Sequence, residues 1–311
     1  MKAVVLSAFE KTPELVELDK PSPGDGEVRV RVAAASINGF DLAVAGGYVK
    51  DMMEHRFPVV LGKDFSGTID AVGAGVADYE IGDRVFGVVT KPFLGDGSFA
   101  EYVTVPVAVG IAKLPDGITF VDGAALGLAG SAAVGAIDAA RLTAGALVLI
   151  AGATGGVGNQ AVQLAVRAGA RVIATAHSDA EVAQVTALGA RETVDYTDDI
   201  AAQLRQRHPD GADVVLHFAG DPAALVAAVA SGGSFVSTLA QSAAQIGAAD
   251  DVRFVPIMAA PSTATLDRLA ASQAANHTSV GVQRVYPLEK TTDAFADFAA
   301  GTLGKLVVAI D

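Results

Sequence analysis

The first third of the chain consists of short apolar or alternating runs that are separated by turn residues. Turn sequences such as Pro-Ser-Pro-Gly-Asp-Gly at 21–26 and Gly-Asp-Gly at 95–97 interrupt these runs. Short strands with frequent turns are typical of a small β-barrel or β-sandwich. The pattern therefore predicts a β domain that ends near Asp122, with strands at 2–6, 14–18, 27–35, 67–72, 84–89 and 100–106.

From residue 123 onward, longer apolar stretches replace the short runs. Residues 123–140 are small and apolar, which favours a buried helix. Beyond them, strand-like and helix-like stretches alternate, which is typical of a parallel sheet with helices on both faces. The predicted strands are 147–151, 171–176, 192–195, 213–218 and 234–239, and the predicted helices are 159–168, 179–188, 200–207 and 222–230. The predicted fold class is therefore α/β with a doubly wound parallel sheet.

The last part of the chain mixes both patterns. It predicts an apolar strand at 283–286, a helix at 291–300 and a terminal strand at 305–310. These elements could return to the first domain. The predicted division is then 1–122 with 283–311 for one domain and 123–282 for the other.

Composition and charge exclude several classes of function. The 51% hydrophobic and 18% charged residues exclude intrinsic disorder. A formal net charge of −13 repels phosphate backbones and anionic lipid, so neither a nucleic-acid partner nor membrane binding is expected. The lack of cysteine excludes disulfides and cysteine-ligated metal sites. With no signal-peptide layout and no unbroken apolar run of spanning length, we expect a soluble cytoplasmic protein.

The strongest chemical signal is a glycine-rich turn between a predicted strand and a predicted helix. Ala153, Gly155 and Gly158 occupy the positions of the G-x-G-x-x-G pattern of dinucleotide-binding turns. Glycines permit a tight turn in which backbone N–H groups and the positive end of the helix face a pyrophosphate. The alternative is a tight strand–helix turn without a ligand. The predicted donors are the backbone N–H groups of Thr154, Gly155, Gly156 and Val157.

The end of the second predicted strand of this region bears on the choice between NADH and NADPH. NAD sites usually carry Asp or Glu there to bind the ribose 2′-hydroxyl, but Ala176 occupies the position. His177 and Ser178 follow and could donate hydrogen bonds to a 2′-phosphate. Asp179 and Glu181 stand close by and oppose that phosphate electrostatically. The sequence favours NADPH, with NADH as the alternative.

Several short strings follow one another along the whole chain. They are Asn-Gly-Phe-Asp at 38–41, Gly-Lys-Asp-Phe-Ser-Gly at 62–67, Gly-Asp-Arg-Val at 82–85, Gly-Ser-Phe-Ala-Glu-Tyr-Val at 97–103, Leu-Ala-Gly at 128–130, the glycine loop at 153–158, Leu-Gly-Ala at 188–190 and Gly-Lys-Leu-Val at 304–307. In order and spacing they resemble the medium-chain dehydrogenase/reductase superfamily, and within it the zinc-independent, zeta-crystallin-like quinone oxidoreductases.

The resemblance implies a particular architecture. A GroES-like β-barrel domain is followed by a Rossmann domain, the C-terminus returns to the first domain, and the active site lies in the cleft between the two. It also implies a homodimer joined edge to edge through the Rossmann sheet. The apolar, β-prone segment 252–258 is the candidate edge strand.

The resemblance also implies three candidate catalytic residues in the first domain. Asn38 is the candidate hydrogen-bonding group near the nicotinamide or the substrate, and the alternative is a turn residue. Tyr48 could donate to a substrate oxygen or line an apolar wall. Lys63 could stabilise negative charge that develops on the substrate, or it could pair with Asp64 at the surface. Asp41 is expected to cap the helix that follows.

Further cofactor contacts are implied on the Rossmann side. Tyr196 matches a family tyrosine near the adenosine phosphate, and Lys305 matches a terminal Gly-Lys signature and is expected to reach the cofactor. His217 could face the cofactor or cap its strand. The other expected contacts end predicted strands at the carboxyl edge of the sheet, and they are Phe218, Ala219, Gly220, Thr238 and Leu239.

The residues at the family's zinc positions decide the expected chemistry. Zinc-dependent relatives carry Cys and His where this chain has Asn38 and Lys63, so no metal is expected. Without a metal the acceptor must already be electron-poor, as quinones and α,β-unsaturated carbonyl compounds are. The sequence thus predicts an NADPH-dependent reductase of such acceptors. The alternatives are an enoyl reductase of a biosynthetic pathway and a protein that binds NADPH without catalysis.

Overall fold

The computed structural model describes residues 1–310, which form two compact units. Unit 1 contains Met1–Leu128 and the stretch that begins at Pro261, and unit 2 contains Ala129–Ala260. Strands alternate with helices in unit 2, whereas the first part of unit 1 is mostly strands. The predicted α/β class is confirmed.

The first part of unit 1 is built from short strands and one short helix, α1 (Gly39–Ala45), which follows β3. The strands are β1 (Lys2–Leu6), β2 (Glu14–Glu17), β3 (Glu27–Ser36), β4 (Glu54–His55), β5 (Val59–Val60), β6 (Asp64–Val72), β7 (Arg84–Val88), β8 (Phe93–Leu94), β9 (Tyr102–Pro106) and β10 (Ile111–Lys113). Each of the six runs predicted in this region is a strand. Burial alternates along β3, where Val28, Val30 and Val32 are buried and Arg31 is exposed, so one face of its sheet packs against the core.

A long apolar helix, α2 (Phe120–Ala140), connects the two units in sequence. Its length and composition would allow it to cross a membrane, but 72% of an apolar 18-residue stretch of this helix is buried inside the protein. Its small residues are core residues, such as Ala124 and Ala125 in unit 1 and Ala133 and Ala136 in unit 2. Burial in the protein core therefore accounts for its apolar sequence.

Unit 2 alternates strand and helix. Its elements are β11 (Leu147–Ala151), α3 (Gly156–Arg167), β12 (Arg171–Thr175), α4 (Asp179–Ala187), β13 (Glu192–Val194), α5 (Ile200–Arg207), β14 (Ala212–His217), α6 (Pro222–Val226), β15 (Val229–Ser237), α7 (Ala243–Ile246) and β16 (Arg253–Pro256). The strands are parallel in the order β13–β12–β11–β14–β15–β16, so the order reverses between β11 and β14. The helix predicted at 222–230 is wrong in length, because Val229 already pairs with Ala212 in the sheet.

Alternate residues of the buried strands face two different cores, which shows that the sheet is covered on both faces. Val148 and Ile150 of β11 pack with residues of α2 and α3. Leu147 and Leu149 of the same strand pack with residues of α5, α6 and α7. The continuous apolar run of β11 therefore follows from burial on both sides.

From Pro261 the chain returns to unit 1 through α8 (Thr263–Ala274), β17 (Val282–Pro287), a 3₁₀ turn (Leu288–Lys290), α9 (Thr291–Ala299) and β18 (Lys305–Ala309). β18 pairs with β3, which gives the sheet order β10–β7–β6–β3–β18–β17, with β9 also on β3. Smaller sheets are β2–β1–β5 and β4–β8. The first boundary between the units follows Leu128, within α2, and not residue 122 as predicted. The second precedes Pro261 and not residue 283, because α8, which was not predicted, packs against β10 of unit 1.

Candidate functional site

The glycine loop lies at the carboxyl end of β11, next to the point where the strand order reverses. The N-cap of α3 is Gly155, in an extended conformation with φ −73° and ψ 174°. No side chain caps this helix, and its first turn carries no acidic residue. Because the first N–H groups of a helix have no acceptor within it, those of Gly156 and Val157 can bind an anion.

The chain passes so close to itself in this loop that two positions require glycine. A Cβ atom at Gly158 would lie 2.1 Å from the carbonyl oxygen of Gly152 and 2.6 Å from the Cα atom of Ala153. Gly152 has φ +79°, and a Cβ atom there would lie 2.9 Å from that of Ala219. The loop therefore has the close helix–strand approach that the sequence pattern predicts.

The strands of unit 2 end in one row at the same edge as the loop. Ala151 is level with His217, and His217 is level with Ser237. Thr175 is likewise level with Val194. In open α/β sheets, dinucleotides bind at this carboxyl edge. The predicted contacts that follow directly on these strand ends are Ala176, His177, Tyr196, Phe218, Ala219, Gly220, Thr238 and Leu239.

His217 is the last residue of β14, and both of its ring nitrogens have partners within unit 2. Its Nδ1 lies 2.9 Å from the hydroxyl of Ser237, and its Nε2 lies 3.1 Å from the carbonyl oxygen of Gly220. Since a carbonyl can only accept, Nε2 carries the hydrogen and Nδ1 accepts. Burial lowers the pKa of His217, which keeps the ring neutral. Of the two alternatives for His217, the geometry therefore supports the structural one.

Ser178, in the turn after β12, forms the cap of the helix that follows. Glu181 accepts the backbone N–H groups of His177 at 2.6 Å and of Ser178 at 3.0 Å. The hydroxyl of Ser178 in turn accepts the N–H of Glu181 at 3.3 Å, which completes a capping box at the start of α4. The hydroxyl of Ser178 is thus an acceptor in the helix cap, and its own hydrogen is not used by this hydrogen bond.

Two carboxylates and one imidazole gather at this turn. The carboxylate oxygens of Asp195 lie 2.9 and 3.0 Å from Nδ1 of His177. A hydrogen bond from the N–H of Thr197 and the pairing with the imidazole lower the pKa of Asp195 to about 2. The same pairing raises the pKa of His177. The Tyr196 hydroxyl donates to Glu181 at 3.0 Å, so Tyr196 belongs to this cluster.

Unit 1 contains a buried network around the carboxylate of Asp64. One oxygen accepts the N–H of Leu128 at 2.7 Å, and the other accepts the Ser36 hydroxyl at 2.7 Å and the Asn38 amide at 2.8 Å. The ammonium of Lys305 lies 3.5 Å from that second oxygen. A buried ion pair is tolerated when hydrogen bonds satisfy both partners, and this network supplies them.

The structure corrects the role expected for Lys305. Its ammonium donates to the carbonyl of Ile37 at 2.8 Å and to the Asn38 side-chain oxygen at 2.7 Å. Together with the ion pair to Asp64, these two hydrogen bonds hold the ammonium inside unit 1. Burial lowers the pKa of Lys305, and the carboxylates of Asp64 and Asp41 oppose this effect. β18 places Lys305 beside the start of α1, where its side chain is buried and its ammonium is not exposed to a cofactor.

Asn38 is the N-cap of α1, and its side-chain amide is fully engaged. The amide donates to Asp64 and, at 3.2 Å, to the carbonyl of Ser36, while its oxygen accepts from Lys305. Neither amide hydrogen is available to a substrate in this conformation. Asn38 is therefore a link between the start of α1 and the buried charges, which is close to the structural alternative.

Asp41 caps α1 as expected, and it does so from a fully buried position. It accepts the backbone N–H of Asn38 at 2.8 Å and is 1% exposed. Burial raises the pKa of Asp41 to about 7, although the hydrogen bond from Asn38 opposes it. The cluster thus contains a carboxyl group that titrates near neutral pH.

Replacing Asp41 with asparagine is expected to reduce the pH dependence of stability. The pKa is about 7 in the folded state and 3.8 without the fold, so between these values only the folded state holds the proton. The stabilising contribution is present below pH 4 and is lost as the pH rises to 7. At about 1.4 kcal/mol per pKa unit, the wild type should lose on the order of 3 kcal/mol more than the variant between pH 4.5 and 7.5. Urea unfolding at the two pH values measures the free energy of unfolding of the wild type and of the variant. Equal losses of stability in the two proteins would contradict the raised pKa of Asp41.

Lys63 and Tyr48 lie outside the network. The ammonium of Lys63 donates to the carbonyl of Val89 at 2.6 Å and lies 5.3 Å from the ring centre of Phe40. Burial lowers the pKa of Lys63, and the nearby carboxylates oppose this. Within residues 1–310 it forms no ion pair with Asp64, so that alternative is wrong. Tyr48 follows α1, and its side chain is 82% exposed.

The sequence analysis missed two partners in these clusters. Asp64 stands in the string 62–67 without any local signal that it is the hub of a network. Asp195 precedes Tyr196 at the end of β13, and only the pairing of β12 with β13 brings it to His177. The capping box of Ser178 and Glu181 did have a signal, because Ser-x-x-Glu before a helix is its pattern.

Two protein-family models match the chain. The alcohol dehydrogenase GroES-like domain matches residues 24–116, and the model described as zinc-binding dehydrogenase matches residues 156–248. The first match lies in unit 1 and the second in unit 2. Together they cover more than half of the chain, and they confirm the predicted pair of domains.

The curated relatives fall into two kinds. A mycocerosic acid synthase-like polyketide synthase of Mycolicibacterium smegmatis is 38% identical over 228 residues, which is 72% of this chain and 10% of that protein. The chain thus spans about a tenth of the length of the polyketide synthases that it matches first. A chloroplast envelope quinone oxidoreductase homolog of Arabidopsis thaliana is 28% identical over 313 residues, which covers 95% of this chain and 93% of the relative.

Solved structures match over the whole chain. An NAD-dependent alcohol dehydrogenase is 29% identical with a TM-score of 0.89, covering 100% of both chains. The quinone oxidoreductase from Coxiella burnetii is 26% identical with a TM-score of 0.90, covering 100% of this chain and 99% of the other. The mycobacterial protein Rv1454c complexed with NADPH is 25% identical with a TM-score of 0.87, covering 99% and 100%.

Proposed function

The chain belongs to the medium-chain dehydrogenase/reductase superfamily, and on that premise we propose that it is a metal-independent reductase that transfers a hydride from NADPH to a quinone or an α,β-unsaturated carbonyl compound. The observation that carries the proposal is the glycine loop, where a helix without a side-chain cap follows a turn in which Gly152 and Gly158 leave no room for a Cβ atom. Similarity to a quinone oxidoreductase homolog over nearly the whole length of both proteins supports the activity.

The residues of unit 2 fit a dinucleotide. The N–H groups at the start of α3 would hold the pyrophosphate of the dinucleotide. The residues at the ends of β14 and β15 would line the remainder of the bound dinucleotide. The bound dihydronicotinamide supplies the hydride. Ala176 at the usual acidic position, His177 beside it and the NADPH complex of a similar protein support NADPH as the donor. NADH is the alternative, which the NAD-dependent neighbour supports.

The residues do not fit the zinc ion that one family description names. The chain has no cysteine, and within residues 1–310 no cluster of three or more His, Asp or Glu side chains is placed to hold a metal. At the two positions where the resemblance places zinc ligands, Asn38 is fully hydrogen-bonded and Lys63 carries an ammonium group, which has no lone pair to give. We therefore assign no step to a metal ion.

Lys63 is the proposed electrostatic group for the acceptor. Its hydrogen bond to Val89 uses one of three N–H bonds, and Lys63 borders a small cavity together with Phe40 and Asp41. An ammonium in a site shielded from water stabilises negative charge on an oxygen during hydride transfer. A quinone or an enone develops such a charge.

An enoyl reductase is the second candidate, and one observation favours it. The 38% identity over 228 residues is to a polyketide synthase, although this chain matches only 10% of that protein. The hydride chemistry is the same, and the acceptor would be an α,β-unsaturated thioester. The ranking of acceptors separates the two candidates.

We also propose that two copies associate through β16. This strand is the outer strand of the six-stranded sheet, and within residues 1–310 no further strand pairs with its outer edge. An unpaired edge can be completed by the same edge of a second copy.

We expect the purified protein to oxidise NADPH at 340 nm with 1,4-benzoquinone, 9,10-phenanthrenequinone or an alkenal, and not with a simple ketone. EDTA throughout should leave the rates unchanged, because no step uses a metal. A crotonyl thioester belongs in the same panel as the enoyl reductase substrate. Faster turnover of the thioester than of the quinones would favour the second candidate.

Three results would contradict the proposal. Loss of turnover in EDTA with recovery on adding zinc would reinstate a metal step. A tenfold or greater preference for NADH at pH 7, about 1.4 kcal/mol, would overturn NADPH as the donor. Binding of NADPH without turnover of any acceptor would leave a non-catalytic binding protein.

A further inference from the structure

We propose that His177 selects between the two cofactors through the state of its Nε2 atom. The neutral ring accepts a hydrogen bond from the ribose 2′-hydroxyl of NADH, and the protonated ring donates one to the 2′-phosphate of NADPH. Glu181 and Asp195 are the fixed negative charges against which this selection operates. The inference rests on the proposed binding of a nicotinamide dinucleotide at the glycine loop.

The position of His177 follows from the sheet. β12 pairs with β11, and Ile150 is level with Ala174. The N–H of Gly152 in the glycine loop donates to the Thr175 hydroxyl at 3.0 Å, which joins the loop directly to the end of β12. The residue after that end binds the adenosine ribose in dinucleotide sites. Ala176 is buried there and cannot hydrogen-bond, so His177 is the first side chain that can.

The hydrogen bonds of His177 determine which ring nitrogen faces outward. A carboxylate only accepts, so the contact of Nδ1 with Asp195 places a hydrogen on Nδ1. In the neutral ring, Nε2 then carries a lone pair. Its side chain is 53% exposed, and no residue within 1–310 pairs with Nε2. Protonation therefore changes an outward acceptor into an outward donor.

The charges around His177 are mostly negative. Asp195 has a pKa lowered to about 2, and hydrogen bonds from His177 and Ser178 lower that of Glu181 although burial opposes them. Tyr196 has a raised pKa and stays neutral. The remaining titratable groups on α4 and on the turn after β13 are the exposed carboxylates Asp179, Asp198 and Asp199.

Because of these negative charges, the binding of NADPH depends on the protonation state of His177. Within residues 1–310, no lysine or arginine contacts the cluster of His177, Glu181 and Asp195. With a neutral imidazole, a 2′-phosphate meets two carboxylates and no cation. With an imidazolium, it meets a hydrogen-bond donor of opposite charge. The 2′-hydroxyl of NADH carries no charge, so its binding depends little on either state.

The pH range follows from the direction of the shift. The hydrogen bond and the charge of Asp195 raise the pKa of His177 above 6.5. The imidazolium is therefore present at pH 6.5 and is lost as the pH rises through the raised value. A phosphate monoester loses its second proton near pH 6, so the 2′-phosphate is mostly dianionic over this range.

The test compares dissociation constants of NADPH and NADH by titration calorimetry at pH 6.5 and 9.0, at constant ionic strength. In the wild type, the ratio of the NADPH constant to the NADH constant should rise about tenfold from the lower to the higher pH, as expected for loss of one charge-assisted hydrogen bond. His177→Gln should give the high ratio at both pH values. His177→Lys keeps a cation and should give the low ratio at both.

A fourth variant separates the carboxylates from the histidine. Glu181→Gln keeps an acceptor for the capping box and removes one negative charge. This variant should lower the dissociation constant of NADPH about fivefold at both pH values. It should change the dissociation constant of NADH by less than about twofold, and the ratio of the two constants should still depend on pH. The matched control is Asp210→Asn, which removes the same charge from an exposed turn at the opposite, amino end of β14 and should change neither constant.

The outcomes distinguish this inference from the proposed function. An equal ratio at both pH values in the wild type, or the same change in His177→Gln as in the wild type, would overturn the role of His177. Failure of both dinucleotides to bind would overturn the proposed function and this inference with it. Binding with the expected ratios but without turnover of any acceptor would leave this inference standing and refute the reductase.

Discussion

Replacing Gly158 with alanine is expected to weaken the binding of NADPH and NADH by at least about 100-fold. The added Cβ atom would lie 2.1 Å from the carbonyl oxygen of Gly152 and 2.6 Å from the Cα atom of Ala153. Both neighbours are backbone atoms, so the start of α3 must move away from the loop. Loss of two hydrogen bonds from N–H groups to a charged phosphate, at about 1.5–3 kcal/mol each, corresponds to roughly 100-fold or more in affinity. Titration calorimetry with each cofactor measures the effect.

Gly155→Ala is the matched control for strain in the loop. The nearest atom to its Cβ would be the Gly152 carbonyl oxygen at 3.6 Å, an ordinary contact, and its φ of −73° suits any residue. The thermal midpoint of the cofactor-free protein should therefore fall in Gly158→Ala and stay unchanged in Gly155→Ala. Wild-type affinity in a folded Gly158→Ala protein would refute the assignment of this loop as the pyrophosphate site.

Replacing Lys305 with methionine is expected to lower the free energy of unfolding by about 3–5 kcal/mol. Methionine fills similar space but leaves the buried carboxylate of Asp64 without its counter-charge. It also removes the hydrogen bonds to the Asn38 side chain and the Ile37 carbonyl. Breaking one partner of a buried pair costs more than the pair contributes, because the remaining charge stays in a dry environment. Urea unfolding at pH 7.5 measures the loss.

An exposed lysine provides the control for this substitution. Lys290 pairs with Asp293 at the surface, with 60% of its side chain exposed, and Lys290→Met should change the stability by less than about 0.5 kcal/mol. Adding Asp64→Asn to Lys305→Met removes the orphaned charge and should restore part of the stability. A loss below about 1 kcal/mol in Lys305→Met would contradict the assignment of Lys305 and Asp64 as a buried pair that stabilises the fold.

Local patterns in the sequence were sufficient for the elements and for the glycine loop. The alternation of β3 and the continuous apolar run of β11 each report burial on one or both faces of a strand, which is a local property. The loop at 152–158 was likewise predicted, because a tight turn between strand and helix constrains neighbouring residues. The predicted length of α6 was wrong because the chain leaves the helix where β15 begins to pair with β14. Pairing with another strand is not a local property of the sequence.

The roles of individual polar side chains were decided by contacts between distant parts of the chain. Lys305 lies 267 residues from Asn38 in sequence, and the antiparallel pairing of β18 with β3 brings them within 2.7 Å. That contact turned an expected cofactor residue into a structural one. His177 acquires Asp195 through the pairing of β12 with β13.

What the sequence by itself determined is the order of strands and helices, the division into two kinds of unit and the place of the glycine loop. These follow from hydrophobic periodicity and from glycine geometry, which act over a few residues. The tertiary structure alone decided which donors and acceptors remain available after folding. A buried hydrogen-bond donor needs an acceptor. The acceptors nearest to Asn38 and Lys305 come from other parts of the chain, so both side chains form their hydrogen bonds inside unit 1.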